Sequence, residues 1–358
     1  MKSTMKTTAC AMVALGLTLA APARAQDGFG RGEPVGETMP IGNRPGNPLL
    51  EMPPGQRMIS AFGERPVFSP DGKRVAFIGK SYGDAFEYDL TTGRTRNLTS
   101  HVPHKGFVRV HYLADGSYLL LGPRFPAEKR EDTRMTRIEL FWMDARPGHA
   151  PVPLGQTVWE GIAVSRISPT VAWSQIAIDA ERKSASTTVF TARVVTGGGP
   201  ARLENIRRVV ATTECVAEAQ DFLPGDAGLT MPCYRYGKDG SERADVTSID
   251  FATGRLTTYP TPANMYGEVE ALMPDGKRTL VECAGDRRKG MDLCLLDLDP
   301  ANPRYTRITN IVQYGGYKYG NPTVRRDGRM VAAQIGPAEV IDAGVGDGIV
   351  LLDLRKDF

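Results

Sequence analysis

The sequence predicts an all-β protein, and within that class a six-bladed β-propeller with four-stranded blades. Three observations lead to this fold. The 358 residues include 39 Gly and 26 Pro, a composition suited to many tight turns. Apolar residues show no extended stretch of 3.6-residue periodicity, so few helices are expected. A unit of roughly fifty residues recurs six times, which is long enough for four short strands and their turns.

The repeated unit is built around an Asp-Gly turn between two short β-like runs. Asp can cap such a turn, and Gly accepts the positive φ that it requires. Clear copies occur at Asp71-Gly72, Asp115-Gly116, Asp275-Gly276 and Asp327-Gly328, and weaker copies at Ser168-Pro169 and Pro224-Gly225. Many units continue into a third strand that ends at an Asp followed by Thr-Gly-Arg, as after Asp89 and Asp250. Each unit therefore predicts one blade.

The last unit is one strand short, which predicts how the ring closes. Gly348 to Arg355 can supply only a third strand, because the sequence ends at Phe358. The stretch Gln56–Ser60, just before the first blade, is the natural donor of the missing outer strand. An amino-terminal strand is therefore expected to close the propeller. A β-sandwich is the alternative all-β fold, but it does not explain the repeat.

The amino terminus has the pattern of an export signal. Lys2 and Lys6 precede an apolar run over residues 9–21, and an Ala-Arg-Ala sequence ending at Ala25 follows it. The run is too short to span a bilayer. A buried amino-terminal helix is the alternative, but the small-x-small ending favours a secretory signal cleaved before Gln26.

The expected domain organisation follows. Residues 1–25 are a signal peptide, residues 26–54 a Gly/Pro-rich leader, and residues 55–358 the propeller. We expect the mature protein to be periplasmic or secreted, monomeric and without a membrane span. Removal of the signal takes away three of the 44 basic residues, and the remaining 41 balance the 41 acidic ones. This balance excludes most nucleic-acid binders, which carry a basic excess.

Four cysteines remain beyond the signal. In an oxidising compartment they favour disulfides over free thiols. Their spacing suggests two local bridges, Cys215 with Cys233 and Cys283 with Cys294, each flanking a turn. The sequence alone leaves the pairing open, and a zinc site is the alternative, although the two-residue spacing typical of zinc sites is missing.

The first blade carries a family resemblance. Phe68-Ser-Pro-Asp-Gly-Lys-Arg-Val-Ala-Phe77 and the continuation from Tyr88 to Thr99 resemble the WD40-like repeat of TolB-like propellers. The resemblance covers residues 55–358, most strongly in blades one, five and six. It implies a fold shared by periplasmic protein-binding modules, gating domains of prolyl oligopeptidases and sugar-acid lyases such as oligogalacturonate lyase. The metal-binding histidines of those lyases lie in later blades, whereas this sequence has no histidine after His149. We therefore predict no cofactor and leave a divalent metal open.

Candidate site residues come from one face of the propeller. Segments that lead into the inner strands share this face with the loops that join second to third strands. The candidates for catalysis are His104, Arg109, His111, Arg166, Glu218 and Tyr317. The candidates for ligand binding are Tyr82, Asp84, Glu160, Asp221, Tyr266, Glu268, Tyr319 and Asn321. Such residues can also simply hydrogen-bond one another and ordered water.

These residue types predict two classes of function. The first is binding of a polar small molecule, an oligosaccharide or a protein segment in the central funnel. The second is a carbohydrate-active enzyme on an acidic sugar. In a lyase, an Arg would neutralise the substrate carboxylate while a His or Tyr moves a proton from the neighbouring carbon. Paired carboxylates would instead support glycoside hydrolysis. Convergence of His104, Arg109, Arg166, Glu218 and Tyr317 in one deep pocket would favour the enzyme.

The loop over residues 124–137 is the last feature of this face. Its basic residues are offset by Glu128, Glu131 and Asp132, which favours a solvated flap over a cover for a substrate.

Overall fold

Six antiparallel sheets of four strands form a six-bladed β-propeller. The computed structural model describes residues 42, 44–178, 185–236, 242–340 and 346–354. The predicted signal peptide and the leader up to residue 41 lie outside the described residues.

The first three blades follow one another along the chain. The first strand of the chain, β1 (Gln56–Ser60), belongs to the last blade. Blade 1 contains β2 (Glu64–Phe68), β3 (Arg74–Ile78), β4 (Ala85–Asp89) and β5 (Thr95–Asn97). Blade 2 contains β6 (Arg109–Tyr112), β7 (Tyr118–Pro123), β8 (Ile138–Met143) and β9 (Val152–Thr157), with helix α1 (Arg130–Thr136) before β8. Blade 3 contains β10 (Trp159–Val164), β11 (Thr170–Ile178), β12 (Ala185–Val195) and β13 (Arg202–Thr212).

The other three blades complete the ring. Blade 4 has a divided inner strand, β14 (Val216–Ala217) and β15 (Asp221–Phe222), followed by a 3-10 turn (Pro224–Asp226), β16 (Gly228–Tyr236), β17 (Glu242–Asp250) and β18 (Leu256–Tyr259). Blade 5 contains β19 (Tyr266–Leu272), β20 (Arg278–Ala284), β21 (Asp292–Asp297) and β22 (Tyr305–Arg307), followed by a 3-10 turn (Ile311–Tyr314). Blade 6 contains β23 (Tyr317–Val324), β24 (Met330–Pro337) and β25 (Gly348–Asp353).

The amino-terminal strand closes the ring as the sequence predicts. Strand β1 pairs antiparallel with β25, with Gln56 opposite Leu352 and Met58 opposite Val350. The fold class is confirmed, and the helix content is low: α1 is the one α-helix among the described residues. No helix in this part of the chain is long and apolar enough to cross a membrane.

The predicted Asp-Gly turns form as their chemistry requires. In blade 1, Asp71 Oδ1 accepts hydrogen bonds from the Ser69 hydroxyl at 2.5 Å and the Lys73 amide at 3.1 Å. Gly72 has a φ of 68°, and a side chain there would be strained. The chain therefore turns tightly enough for the first and second strands of each blade to pair.

The hydrophobic core lies between neighbouring blades. Leu280 of blade 5 and Val331 of blade 6 belong to one buried cluster, and Phe77 of blade 1 packs in another with Ile349 of blade 6. Burying each such side chain stabilises the fold by about 1.5–3 kcal/mol. Because the apolar faces meet between blades, the strand edges that line the central channel remain available for polar side chains.

Both predicted disulfides form, each within one blade. Cys215 is bonded to Cys233 in blade 4, with 5.4 Å between Cα atoms. Cys283 is bonded to Cys294 between β20 and β21, with 5.9 Å between Cα atoms. The suggested local pairing is confirmed, and none of the four thiols is left to bind zinc.

The described end of the predicted leader lies against blades 5 and 6. The Arg44 amide donates to the Gln313 carbonyl at 2.7 Å, and the Arg44 guanidinium lies 5.0 Å from the centroid of the Tyr314 ring. Leu49 and Met52 pack against the core cluster of these blades. The described part of the leader, from Arg44 to β1, is therefore attached to the propeller.

Candidate functional site

The central channel widens into two cavities, one at each end. The loop-side cavity, of about 430 Å³, opens where second strands join third strands and is bordered by α1. The turn-side cavity, of about 120 Å³, opens at the ends of the inner strands near the Asp-Gly turns. Arg65, Arg109 and Asn321 border both cavities. These three side chains therefore separate the two halves of the channel.

Arg65 anchors the cationic side of this partition. It lies on β2 in the left-handed region, with φ of 54°, where a strand irregularity turns its side chain into the channel. Its guanidinium donates to the Val108 carbonyl at 2.7 Å, to Asn321 Oδ1 at 3.3 Å and to the Glu160 carboxylate. Burial would raise the pKa of Glu160, but Arg65 and Arg134 together lower it to about 2, so this carboxylate is ionised.

Arg109 is less completely bound. Its Nη2 donates to Glu218 Oε1 at 3.2 Å, while its buried Nε has no partner among the described residues. Burial raises the pKa of Glu218 to about 7; Arg109 lowers it, and Glu268 raises it further. Near neutral pH the negative charge opposite Arg109 is therefore only partly present, and the guanidinium is available to a second anionic group.

A group of three carboxyls lies in the channel, with Glu268 and Glu282 bordering the loop-side cavity and Glu270 bordering the turn-side cavity. Oxygens of Glu268, Glu270 and Glu282 lie within 4.8 Å of one another. Burial, and then the neighbouring carboxyls, raise the pKa of Glu270 well above its usual range. Burial and Glu268 raise the pKa of Glu282 to about 7. Glu270 is therefore protonated and Glu282 partly protonated at neutral pH, so the group does not carry three negative charges.

Hydrogen-bond donors hold this acidic group in place. The Tyr234 and Tyr266 hydroxyls donate to Glu268, and the Asn321 side chain donates to Glu270 at 3.1 Å. The Tyr234 hydroxyl also lies 3.4 Å from Glu218 Oε2, so one phenol links two carboxyls. Burial raises the pKa of Tyr234 well above its usual range, which keeps the phenol protonated. Three carboxyls so close could hold a cation, but these donors already satisfy many of their oxygens.

Aromatic side chains form part of the wall of the loop-side cavity. Trp159, Tyr234, Tyr236 and Tyr266 line it together with polar groups. The Arg287 guanidinium lies 5.0 Å from the centroid of the Tyr266 ring, at its face. Flat apolar faces beside hydrogen-bonding groups fit a ligand that has both faces and polar edges.

The loop over residues 124–137 covers part of this cavity. Arg134 of α1 forms an ion pair with Glu160, and Glu131 and Met135 line the cavity. Arg130 lies over the Tyr82 ring, 5.1 Å from its centroid. The loop is mostly exposed, as expected for a solvated flap, but α1 also borders the cavity and covers part of it.

The structure distributes the predicted site residues among three places. The loop-side cavity receives Arg109, Glu160, Glu218, Tyr266, Glu268 and Asn321. The turn-side cavity is lined by Arg109, His111, Arg166, Asp221 and Asn321. Neither cavity includes Tyr82, Asp84, His104, Tyr317 or Tyr319. Of the five residues whose convergence would favour an enzyme, only Arg109 and Glu218 share the larger cavity.

The residues outside the cavities have structural partners. The His104 ring bonds to Asp84 at 2.8 Å through Nε2 and to the Gly106 amide at 2.8 Å through Nδ1, which fixes the segment before β6. Tyr317 and Tyr319 lie on the face of β23 that packs against the core. Side chains alternate along a strand, so Lys318 and Gly320 line the cavity in their place. The prediction that Tyr317 and Tyr319 lie at the site is therefore corrected: strand alternation puts both on the core face.

Several lining residues were missed by sequence reasoning. Arg65, Tyr234 and Glu282 carry most of the unpredicted contacts. A signal for Arg65 was present, because Arg65, Arg109 and Asn321 each stand six residues before the Asp of an Asp-Gly turn. Tyr234 and Glu282 lie on second strands, β16 and β20. They were missed because channel residues were expected only on inner strands and loops.

Comparison with known proteins identifies the fold. The structure is similar to an oligogalacturonate lyase from Vibrio parahaemolyticus, with a TM-score of 0.51 and 9% identity over 84% of this chain and 92% of that chain. It is also similar to hydrazine synthase from Kuenenia stuttgartiensis, with a TM-score of 0.52 and 11% identity over 81% and 83%. The β-propeller domain of the Trilobed protease from Pyrococcus furiosus gives a TM-score of 0.45 and 12% identity over 75% and 74%. The likeness is one of fold. No family model and none of the curated proteins matches the sequence, so the TolB-like resemblance stays a prediction.

Proposed function

We propose that the loop-side cavity binds a polar small molecule that carries a carboxylate and several hydroxyl groups, of the class of acidic saccharides. The observation that carries the proposal is the pairing of Arg109 with Glu218, a carboxyl of raised pKa, inside a cavity of about 430 Å³. Ligand cavities in proteins are typically about 300–1,000 Å³, which suits one or two sugar rings.

The cationic side supplies the anion-binding group. Each of the three guanidinium nitrogens of Arg65 has a hydrogen-bond partner, whereas Arg109 has one ion pair and an unpartnered Nε. A guanidinium can hold a carboxylate through two parallel hydrogen bonds. A ligand carboxylate would take the place of the Glu218 charge, and Glu218 would keep its proton.

The other walls supply what a sugar ring needs. Glu268 and Glu282 offer acceptors for hydroxyl groups. Trp159 and Tyr236 offer apolar faces for the carbon side of a ring. The α1 cover narrows the opening, which favours a small molecule over a protein segment.

The Arg109→Met variant tests this proposal. Titration calorimetry with di- and trigalacturonate, chosen because an oligogalacturonate lyase shares the fold, is expected to show binding to the wild-type chain. Loss of a charged hydrogen bond should weaken it at least about tenfold in the variant. The exposed Arg304→Met is the matched control and should bind as wild type does. Equal affinity in both variants would contradict the assignment.

Elimination chemistry at the same cavity is a second candidate function. The specific observation is the Tyr234 hydroxyl 3.4 Å from Glu218, whose pKa of about 7 suits a general base. Ionised Glu218 would remove the proton next to the substrate carboxylate. The carbon–carbon double bond would form as the neighbouring carbon–oxygen bond breaks, and Tyr234 would protonate the leaving oxygen. The proton on Glu218 would then return to Tyr234.

Mass spectrometry of the products separates the possibilities. Elimination gives a product lighter by one water than the hydrolysis product, and the rate should rise with pH through about 7 as Glu218 ionises. Glu218→Gln should abolish the reaction but retain binding, while the exposed Glu214→Gln serves as control. Hydrolysed products would assign the cavity carboxyls to glycoside hydrolysis, and an unchanged substrate would leave binding as the function.

We also propose that the protein is exported. The predicted signal peptide and the two disulfides agree, because disulfides persist in oxidising compartments. The mature amino terminus, read from the mass of the protein purified from the periplasm or medium, is expected to be Gln26.

A further inference from the structure

The turn-side cavity has an excess of positive charge. Four arginines border it, Arg65, Arg109, Arg166 and Arg326, and its two acidic residues are Asp221 and Glu270. Asp221 is occupied, because it accepts from the Arg166 guanidinium at 2.7 Å and from the Leu272 amide at 2.8 Å. Burial keeps Glu270 protonated by raising its pKa. Arg326 donates to the Arg166 carbonyl and has no ion pair among the described residues.

His111 adds a neutral hydrogen-bonding group to these cations. It is two residues after Arg109 on β6, so both side chains lie on the channel side of the strand. Burial, and then Arg109 and Arg65, lower the pKa of His111 to about 3. The neutral ring can donate one hydrogen bond, and no hydrogen bond joins it to another described side chain.

We propose that the turn-side cavity is a binding site for a small oxyanion, held by Arg109, His111 and Arg326. Guanidinium groups match oxyanions in shape and charge. A cavity of about 120 Å³ has room for about four waters, or for one tetrahedral oxyanion in their place. The unpartnered Nε of Arg109, on a side chain that is 11% exposed, is a second sign that this cation lacks a ligand.

This site is separate from the proposed saccharide site. His111 and Arg326 border the turn-side cavity alone, and only Arg65, Arg109 and Asn321 are shared. Both proposals use Arg109, so the test of the oxyanion site relies on the His111 signal and on Arg326→Ala, which report on the turn-side cavity and not on the saccharide site.

Histidine NMR of the full chain tests the site. The sequence has four histidines, so a protein with ¹³C-labelled histidine gives four ring signals. They can be assigned from His101→Gln, His104→Gln and His149→Gln, which leaves His111 by elimination. We expect inorganic phosphate, titrated at constant ionic strength with sodium chloride, to shift the His111 signal saturably and leave the other three in place.

Two arginine variants of the same turn provide the control. Arg326→Ala should weaken phosphate binding about tenfold, because it removes one charged hydrogen bond. Arg329→Ala, exposed and outside the cavity, should not change it. Acetate in place of phosphate identifies the ligand: an equal shift assigns a carboxylate group, and a shift with phosphate alone assigns a phosphate group. No saturable shift of the His111 signal, or equal weakening in both variants, would overturn the site.

Discussion

Arg109 is the residue on which the two halves of the channel depend. Its guanidinium reaches Glu218 on one side and borders the turn-side cavity on the other. Glu218 in turn contacts Tyr234, so proton position and charge in the larger cavity are linked through one side chain. Residues that fix this pair are therefore expected to matter more than residues that only line the walls.

Gly161 makes room for Glu218. A Cβ at Gly161 would overlap the Glu218 side chain, so Gly161→Ala must displace it from Arg109. We expect a loss of about 1–3 kcal/mol in the free energy of unfolding, as for overpacking elsewhere. Urea denaturation measures this loss. Gly197→Ala, where nothing lies within 4 Å of the added Cβ, is the control. An equal free energy of unfolding in the two variants would show that the space at Gly161 is not required to hold Glu218 in position.

Asp292 makes stability depend on pH. Burial raises its pKa from 3.8 to about 6, and its Oδ2 has no partner among the described residues. The folded state holds this proton more tightly than the unfolded chain does. The protonated Asp292 therefore contributes to the free energy of unfolding below pH 4, and this contribution is lost as pH rises through about 6. Asp292→Asn should therefore gain about 2 kcal/mol relative to wild type between pH 4 and pH 8. Urea denaturation at both pH values measures this, with exposed Asp299→Asn as control. If the difference in the free energy of unfolding between Asp292→Asn and wild type were the same at both pH values, the titration of Asp292 would not be its cause.

At the scale of the element, the repeat explains what was predictable. Asp-Gly turns predicted the first pair of strands in four of the six blades. The residue six positions before the Asp is Arg65, Arg109 and Asn321 in three of them. Tyr317 and Tyr319 were predicted at the site because the sequence does not show which of the two alternating sets of residues in a strand faces the channel. Glu282 could not be found from its own segment, since only the packing of β20 beside β23 brings it to Asn321.

Helix α1 covers the loop-side cavity through the ion pair of Arg134 with Glu160. Arg134 is 41% exposed, so its loss should change the free energy of unfolding by at most about 1 kcal/mol while loosening the cover. We expect Arg134→Gln to be cleaved faster after Glu131 by a glutamate-specific protease under native conditions. Arg137→Gln in the same loop is the control. Equal cleavage of both variants would show that the cover does not depend on the ion pair.

At the scale of the whole molecule, the fold follows from the sequence more fully than the site does. Six turn signals and one missing strand predict the number of blades and their closure by β1, because each is a local pattern. The site is assembled from all six blades, so its partners lie up to 269 residues apart, as in the bond from the Arg65 amide to Gln334. Residues so far apart in the sequence are brought together by closure of the ring, so their contact cannot be predicted from any single segment.

The propeller also separates charge along its axis. Arginines and carboxyls of raised pKa border the loop-side cavity, while the turn-side cavity is cationic. The composition does not reveal this separation, because the acidic and basic residues of the predicted mature chain are equal in number. The central claim is that this arrangement selects a carboxylate among otherwise similar polar ligands.

Titration calorimetry of the wild-type chain with digalacturonate and with digalactose tests that claim most directly, since the two ligands differ only in the carboxylate of each ring. We predict that the acidic ligand binds at least about tenfold more tightly, and that added salt weakens only its binding. Equal affinity for both ligands, or tighter binding of the neutral one, would contradict the claim.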